Sequence, residues 1–141
     1  MRVVLDTNVL VSAALKQRST PGMAALAVER HHVLFKSHAT EEQLFGVVAR
    51  PYFASLINPD TRAWLTKLMA DAEPVTITER IVSCRDPTDD KFLELAVNGH
   101  ADIMISGDAD LLVLHPFRDI SIVTAAEFLQ ATTVEIGDEK A

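Results

Sequence analysis

The sequence predicts an α/β domain built on a mostly parallel sheet with helices on both faces. Short apolar runs alternate with segments of helical period along the chain, and that alternation is the signature of a parallel sheet covered on both sides. The 141 residues fit one domain and can bury a sizeable core unaided. A balance of 48% apolar and 23% charged residues is ordinary for a globular chain and excludes a disordered or fibrous one.

The elements follow in order. Arg2–Leu5 is a short apolar run ending at Asp6, as a buried strand would. Val9–Leu15 continues apolar as a helix. Thr20-Pro21-Gly22 starts another, with Pro21 near its first position, and Met23–Glu29 carries it. His32–Lys36 is a second strand. Ser37 caps a helix over about 39–49, with Leu44, Val47 and Val48 on its apolar face and Arg50-Pro51 as its stop. Asn58-Pro59-Asp60 opens a helix with Trp64, Leu65, Leu68 and Met69 at helical spacing. Val75–Ile77 and Ile81-Val82 are extended. Asp86-Pro87-Thr88-Asp89 reads as a cap with a first-turn proline, and its helix stops at Asn98-Gly99. Ile103–Ile105 is a strand, Ser106-Gly107-Asp108 a turn, and Ala109–Leu114 a short helix ended by His115-Pro116. Ile120–Val123 is the last strand. Thr124-Ala125-Ala126-Glu127 is a capping box for a short final helix. Residues 1–130 thus form one domain, and 131–141, with Glu135, Asp138 and Glu139, an acidic mobile tail.

Several function classes fall away. Cys84 is the one cysteine, so neither an intrachain disulfide nor a C-x-x-C zinc site can form. Net charge is −7, which argues against a dominant polybasic clamp on nucleic acid or membrane. Asp6 and Asn8 break the opening apolar run before a signal-peptide core can form, and no run reaches membrane length. The expected location is the cytoplasm. A Gly-rich phosphate loop and a G-x-S-x-G elbow are both absent from the sequence.

Ligands of open α/β sheets sit beyond the carboxyl ends of the strands. Asp6 follows the first strand directly, and Asp108 and Asp110 follow Ile103–Ile105 across a glycine turn. Asp86, Asp89 and Asp90 open the helix that precedes that strand. Each alone is also explained as a turn or cap residue. Caps need not gather at one edge, however, and these are predicted to do so. Converging carboxylates repel and raise one another's pKa, a conflict that a divalent cation removes. An all-oxygen set favours Mg²⁺ or Mn²⁺ over Zn²⁺, and such ions can activate a water and stabilise the leaving oxygen of a phosphodiester.

The same residues carry a family resemblance. Val4-Leu5-Asp6-Thr7-Asn8-Val9-Leu10 resembles the start of a PIN-domain nuclease. Arg85-Asp86-Pro87-Thr88-Asp89-Asp90-Lys91-Phe92-Leu93-Glu94-Leu95-Ala96 followed by Ala101-Asp102 resembles its middle motif, and Ser106-Gly107-Asp108-Ala109-Asp110-Leu111-Leu112 its third. Ile122-Val123-Thr124-Ala125-Ala126-Glu127-Phe128-Leu129 is similar to the end of the toxin components of bacterial toxin–antitoxin pairs. The resemblance runs to about Gln130. It implies a three-layer α/β/α sandwich and a Mg²⁺- or Mn²⁺-dependent endoribonuclease that hydrolyses RNA phosphodiester bonds. It implies that Asp6, Asp89, Asp108 and Asp110 bind metal, and that Asn8 and Ser106 support the metal site or orient substrate. Asp86 and Asp90 are neighbours of that set. Asp89 and Asp90 point about a quarter-turn apart on a helix, so only one faces the metal. A protein antitoxin covering this edge and a homodimer or higher oligomer are implied in the same way.

One position departs from the family pattern. The family carries a Glu on the helix after the second strand, and aligning Ser37 and Arg50-Pro51 puts Gln43 there. Glu42 lies about 100° around the helix. Either Glu42 serves, or Gln43 binds through its amide oxygen or a water, or the metal site is weakened; the apolar face of Leu44, Val47 and Val48 favours the Gln43 register. Among the cations, Arg50, Arg85 and Lys91 are candidates for phosphate contacts, with Lys91 foremost for its closeness to Asp89. Phe53 and Trp64 could stack a base, though helical packing suits Trp64 better. The five histidines lack metal-ligand spacing, and Cys84 has no partner base. Two further readings stay open: a catalytically weakened or inactive RNA-binding module of the same fold, and an acidic-pocket phosphohydrolase, against which Asp6-Thr7-Asn8 lacks the second acid of a D-x-D pair.

Overall fold

The computed structural model describes residues 1–140, and side chains through Thr132. Five strands are joined by eight α-helices in the order β1 (Arg2–Leu5), α1 (Thr7–Leu15), α2 (Thr20–His31), β2 (Val33–Lys36), α3 (His38–Val48), α4 (Pro51–Leu56), α5 (Pro59–Asp71), β3 (Glu73–Pro74), α6 (Asp90–Asn98), β4 (Ile103–Ile105), α7 (Ala109–Leu112), β5 (Ser121–Val123) and α8 (Ala125–Lys140). A 3-10 turn, Pro87–Asp89, leads into α6. The expected tail over 131–141 lies, from residue 133 on, outside the residues whose side chains are described.

The sheet is parallel throughout, in the order β3-β2-β1-β4-β5. The chain first walks outward from β1 to β3, then crosses to the other side of β1. The crevice where the direction reverses lies between β1 and β4, paired in register as Val3 with Ile103, Val4 with Met104 and Leu5 with Ile105. Period-two alternation splits β1 between two cores. Val3 and Leu5 join Leu10, Val28, Leu44, Leu65 and Phe128 on one face, under α1, α2, α3, α5 and α8. Val4 joins Phe35, Leu93, Met104, Leu111 and Ile122 on the other, under α6 and α7. This is the helix–sheet–helix layering that the alternation predicts.

The caps form as the residues dictate. Ser37 and Thr40 make a reciprocal capping box on α3. Asn58 caps α5 through the Asp60 amide, and Thr124 and Glu127 cap α8. Three elements differ from expectation; the final helix, expected to be short, runs from Ala125 to Lys140. Arg50-Pro51 ends α3 but also starts α4, because proline at a first helical position suits a start as well as a stop. The third strand pairs at Glu73–Pro74 instead of Val75–Ile77. The end of β2 sets that register, and Val75 adds one bond, its amide donating to the Lys36 carbonyl at 2.8 Å.

Gly22 sits where the turn before α2 folds back on the helix. A Cβ there would meet the Gln17 carbonyl oxygen at 2.2 Å and the Lys16 carbonyl oxygen at 2.7 Å, and backbone cannot yield as a side chain can. Gly22→Ala should therefore destabilise the chain by about 1–3 kcal/mol, the usual cost of overpacking, measured as a lower urea midpoint with an unchanged slope.

Candidate metal and active site

Asp6 stands at the crevice between β1 and β4. Its amide donates to the Ile105 carbonyl at 3.1 Å, which continues the β1–β4 ladder by one residue. Its side chain caps α1, with Oδ1 accepting from the Val9 amide at 2.8 Å. Its Oδ2 accepts from the Ser106 hydroxyl. Ser106 is fully buried directly after β4, and its Oγ in turn accepts from the Asp108 amide at 2.9 Å. Asp108 Oδ1 accepts from the Asp110 amide at 2.9 Å and so caps α7. A hydrogen-bonded chain thus runs from the end of β1 through the end of β4 to the first turn of α7.

From the other side, the 3-10 turn delivers Asp89. Carboxylate oxygens of Asp89, Asp108 and Asp110 lie within 4.8 Å of one another. Asp6 stands outside that triad but lines the same cleft of about 260 Å³, together with Asn8, Gln43, Arg50, Asp89 and Asp108. The electrostatics report the crowding. Burial pushes the Asp6 carboxyl up, and the Asp108 charge adds to it against the lowering bonds from Ser106 and Val9. Asp89 is pushed up to about 6 by burial, by a hydrogen bond with Asp108 and by the charges of Asp108, Asp86 and Asp110. That rise is the behaviour expected of a carboxylate sharing a site with like charges.

The remaining acids of the middle motif face elsewhere. Asp90 is buried on the opposite side of the turn, where Oδ1 accepts from the amides of Ser83 at 3.0 Å and Cys84 at 2.8 Å. Burial opposes its charge, yet those amides hold its carboxyl below the usual range. It anchors the segment before the turn and does not enter the cleft. Asp86 caps the turn through the Thr88 amide and hydroxyl, which lower its pKa. The quarter-turn between Asp89 and Asp90 therefore separates a cleft acid from a structural one. Cys84, beside Asp90, has its thiol pushed up to about 12 by burial and the neighbouring carboxylates, which makes it a poor nucleophile.

Helix α3 resolves Glu42 and Gln43 geometrically. Glu41 pairs with Lys36 at 2.8 Å. Glu42 is exposed and pairs with His38 at 3.0 Å. Gln43 faces the cleft, its Oε1 accepting from the Thr7 hydroxyl at 2.9 Å. Lys91 lines the neighbouring depressions rather than the cleft. Arg85 lies 3.4 Å from Asp110, and Trp64 is occupied by a bond to Glu29 at 3.1 Å. Arg50, one of the candidate phosphate contacts, lines the cleft with Phe53, a candidate for base stacking. One cleft residue carries little sequence signal. Thr7 reads as a first-turn helix residue until α3 packs against α1.

The donor set fits a hard divalent cation: oxygens only, anionic, clustered and facing a cleft. Asp89, Asp108 and Asp110 would hold it, with Asp6 behind them.

A family model described as PIN domain matches residues 2–110. An uncharacterized protein of Methanocaldococcus jannaschii is 28% identical over 119 residues, a match covering 81% of this chain and 75% of that protein. Among solved structures, a chain in the crystal structure of VapBC2 from Rickettsia felis bound to a DNA fragment from their promoter superposes with a TM-score of 0.58. That superposition covers 86% of this chain and 97% of the other at 12% identity, so it is a likeness of fold.

Two substitutions should act in opposite directions. The folded-state pKa of Asp89 is raised, so the folded protein binds more protons than the unfolded one between about pH 4 and 6, and stability falls as pH rises through that window. Without divalent cation, Asp89→Asn should raise the melting temperature above pH 6, with the gain shrinking as pH falls towards 4. Asp90→Ala should cost about 1–3 kcal/mol by stranding the Ser83 and Cys84 amides, measured by urea unfolding at pH 7.

Proposed function

This chain belongs to the PIN domain family, and from that premise we propose that it is a Mg²⁺- or Mn²⁺-dependent endoribonuclease. The observation that carries the reading is the convergence of Asp89, Asp108 and Asp110 within 4.8 Å beside the buried Asp6, at the crevice where an open α/β sheet receives its ligand. When bound, the divalent cation supplies positive charge to an attacking water and to the leaving oxygen of a phosphodiester. The chain's own residues do the rest. Asp89, Asp108 and Asp110 would hold the cation, and a proton carried by Asp89 must leave as they do. Ser106 holds Asp6 and, through the Asp108 amide, fixes both acids relative to one another. Arg50 and Asn8 line the mouth where a phosphate would enter. Oε1 of Gln43 accepts from Thr7 and keeps a second lone pair, its amide nitrogen can donate to substrate or solvent, and either way Gln43 adds no charge to the metal site.

The motifs that resemble the toxin components of bacterial toxin–antitoxin pairs, on a fold like that of a chain of VapBC2, support a toxin role, with a protein antitoxin covering this edge and with self-association. A cytoplasmic location fits that role, and no helix among the described residues is long and apolar enough to cross a membrane. One observation favours a second reading, a weakened or inactive RNA-binding module: a neutral amide, Gln43, stands where a fourth or fifth carboxylate would strengthen cation binding.

The test is cleavage of mixed single-stranded and hairpin RNAs with Mn²⁺ or Mg²⁺ and with chelator. Cleavage should require the cation and should fall at least about a hundredfold in Asp110→Asn, beyond what loss of outer partners costs a metal site. Asp6→Asn should fall likewise. Cation-independent cleavage, or cleavage unchanged in both variants, would reject the reading. A folded protein that binds RNA and cleaves only after Gln43→Glu would establish the second.

A further inference from the structure

The acidic cleft does not end at Gln43. The same side chain lines a second depression, of about 350 Å³, with His38, Ala39, Glu42 and Lys91. His38, Ala39 and Lys91 in turn line a third, of about 450 Å³, that runs past Val75 to Arg80 and is floored by Glu94. Three depressions with shared walls make one continuous track across the N-terminal end of α3 and the exposed side of α6. Its cations are not spent on structure. Lys91 makes no ion pair among the described residues, and Arg80 reaches only Glu94, at 3.9 Å, with its side chain 86% exposed. Arg50, at the opposite end of the cleft, is likewise without an ion pair among the described residues. Glu94 is buried beneath the groove and accepts from the Ile81 amide, which leaves Glu42, at the rim, as the track's one exposed carboxylate.

We propose that this track is the path of single-stranded RNA through the protein: the phosphodiester at the acidic cleft lies between Arg50 and Gln43, and the strand continues over Lys91 to Arg80. The proposal rests on the nuclease reading and deepens it. The charge pattern fits a polyanion whose reacting phosphate lies at the acidic cleft and whose flanking phosphates are met by Lys91 and Arg50, without ion pairs among the described residues, and by Arg80, held only at 3.9 Å by Glu94. The apolar side chains of Val75 and Ile77 along the third depression offer a surface against which a base can pack. In a chain of net charge −7, such local cations are what would offset repulsion of RNA by the rest of the surface.

The test is fluorescence anisotropy of a labelled single-stranded RNA of about 12 nucleotides, within the span of single-strand sites. It is measured on the full chain in chelator, so that no cleavage occurs, across a series of salt concentrations. Lys91→Gln and Arg80→Gln should each raise Kd by up to about fivefold, the ceiling for an exposed charge pair. Each should also flatten the slope of log Kd against log salt by about 0.7, one single-strand phosphate contact. Glu42→Gln should tighten binding, and Arg30→Gln, on the distant end of α2, should change nothing. If RNA binds and all four variants match the wild type, the track is wrong while the nuclease reading stands. If RNA does not bind and a co-purifying protein partner is instead displaced by Lys91→Gln, the groove is a protein interface and the proposal falls. If the wild type binds no RNA and also fails to cleave it with Mn²⁺, the proposal and the nuclease reading fall together.

Discussion

One buried carboxylate organises the functional edge of this molecule. Asp6 extends the β1–β4 ladder through its amide, caps α1 through one oxygen and receives Ser106 through the other. A charge placed at the centre of a sheet is costly unless every lone pair has a partner, and here the partners are themselves the elements that build the candidate site. Ser106 passes the constraint to Asp108, and Asp108 passes it to Asp110 through the cap of α7. The acids are thus held by the same hydrogen bonds that end the strands and begin the helices. That coupling is why the cleft sits at the reversal of strand order rather than elsewhere along the edge.

The arrangement trades stability for chemistry. Asp89, Asp108 and Asp110 would be better separated if folding alone mattered, and the raised pKa of Asp89 expresses the repulsion. Elsewhere in the chain, carboxylates have partners of their own. Asp90 pins the segment before α6, Asp86 caps the 3-10 turn, Glu41 pairs with Lys36, and Glu42 pairs with His38. The chain therefore separates acids that serve structure from acids left in conflict; of the latter, Asp89 and Asp108 line the cleft with Asp6, and Asp110 stands beside them. Gln43 stands at the boundary. It faces the cleft but adds no charge, and its bond to Thr7 ties α3 to α1 across the mouth.

The layering, the parallel sheet and the placement of Asp6, Asp89 and Asp108 at one edge were legible because each depends on a local rule. Apolar period identifies strands and helices, strand ends place ligands, and capping sequences mark helix starts. What was illegible depends on packing between elements. Pro51 serves equally to stop a helix and to start one, so α4 was hidden. The edge strand at Glu73–Pro74 takes its register from β2 and carries no apolar alternation of its own. Asp89 and Asp90 look alike in sequence, and only the direction of the turn decides which enters the cleft. The choice between Glu42 and Gln43 was half legible, since Leu44 and Val48 fix the buried face of α3, while the contact with Thr7 could not be read at all.

The central claim is that the clustered acids are a divalent-cation site, and melting at pH 7 against Mn²⁺ or Mg²⁺ concentration tests it most directly. A cation that binds only the folded state stabilises it by an amount that keeps growing with concentration, about 2.7 kcal/mol at a hundred times Kd. The melting temperature should therefore climb with added cation, and Asp108→Asn should lose most of that climb. A melting temperature indifferent to cation up to about a hundred times the millimolar-or-tighter Kd that such carboxylate sites reach, or an equal rise in Asp108→Asn, would contradict the account.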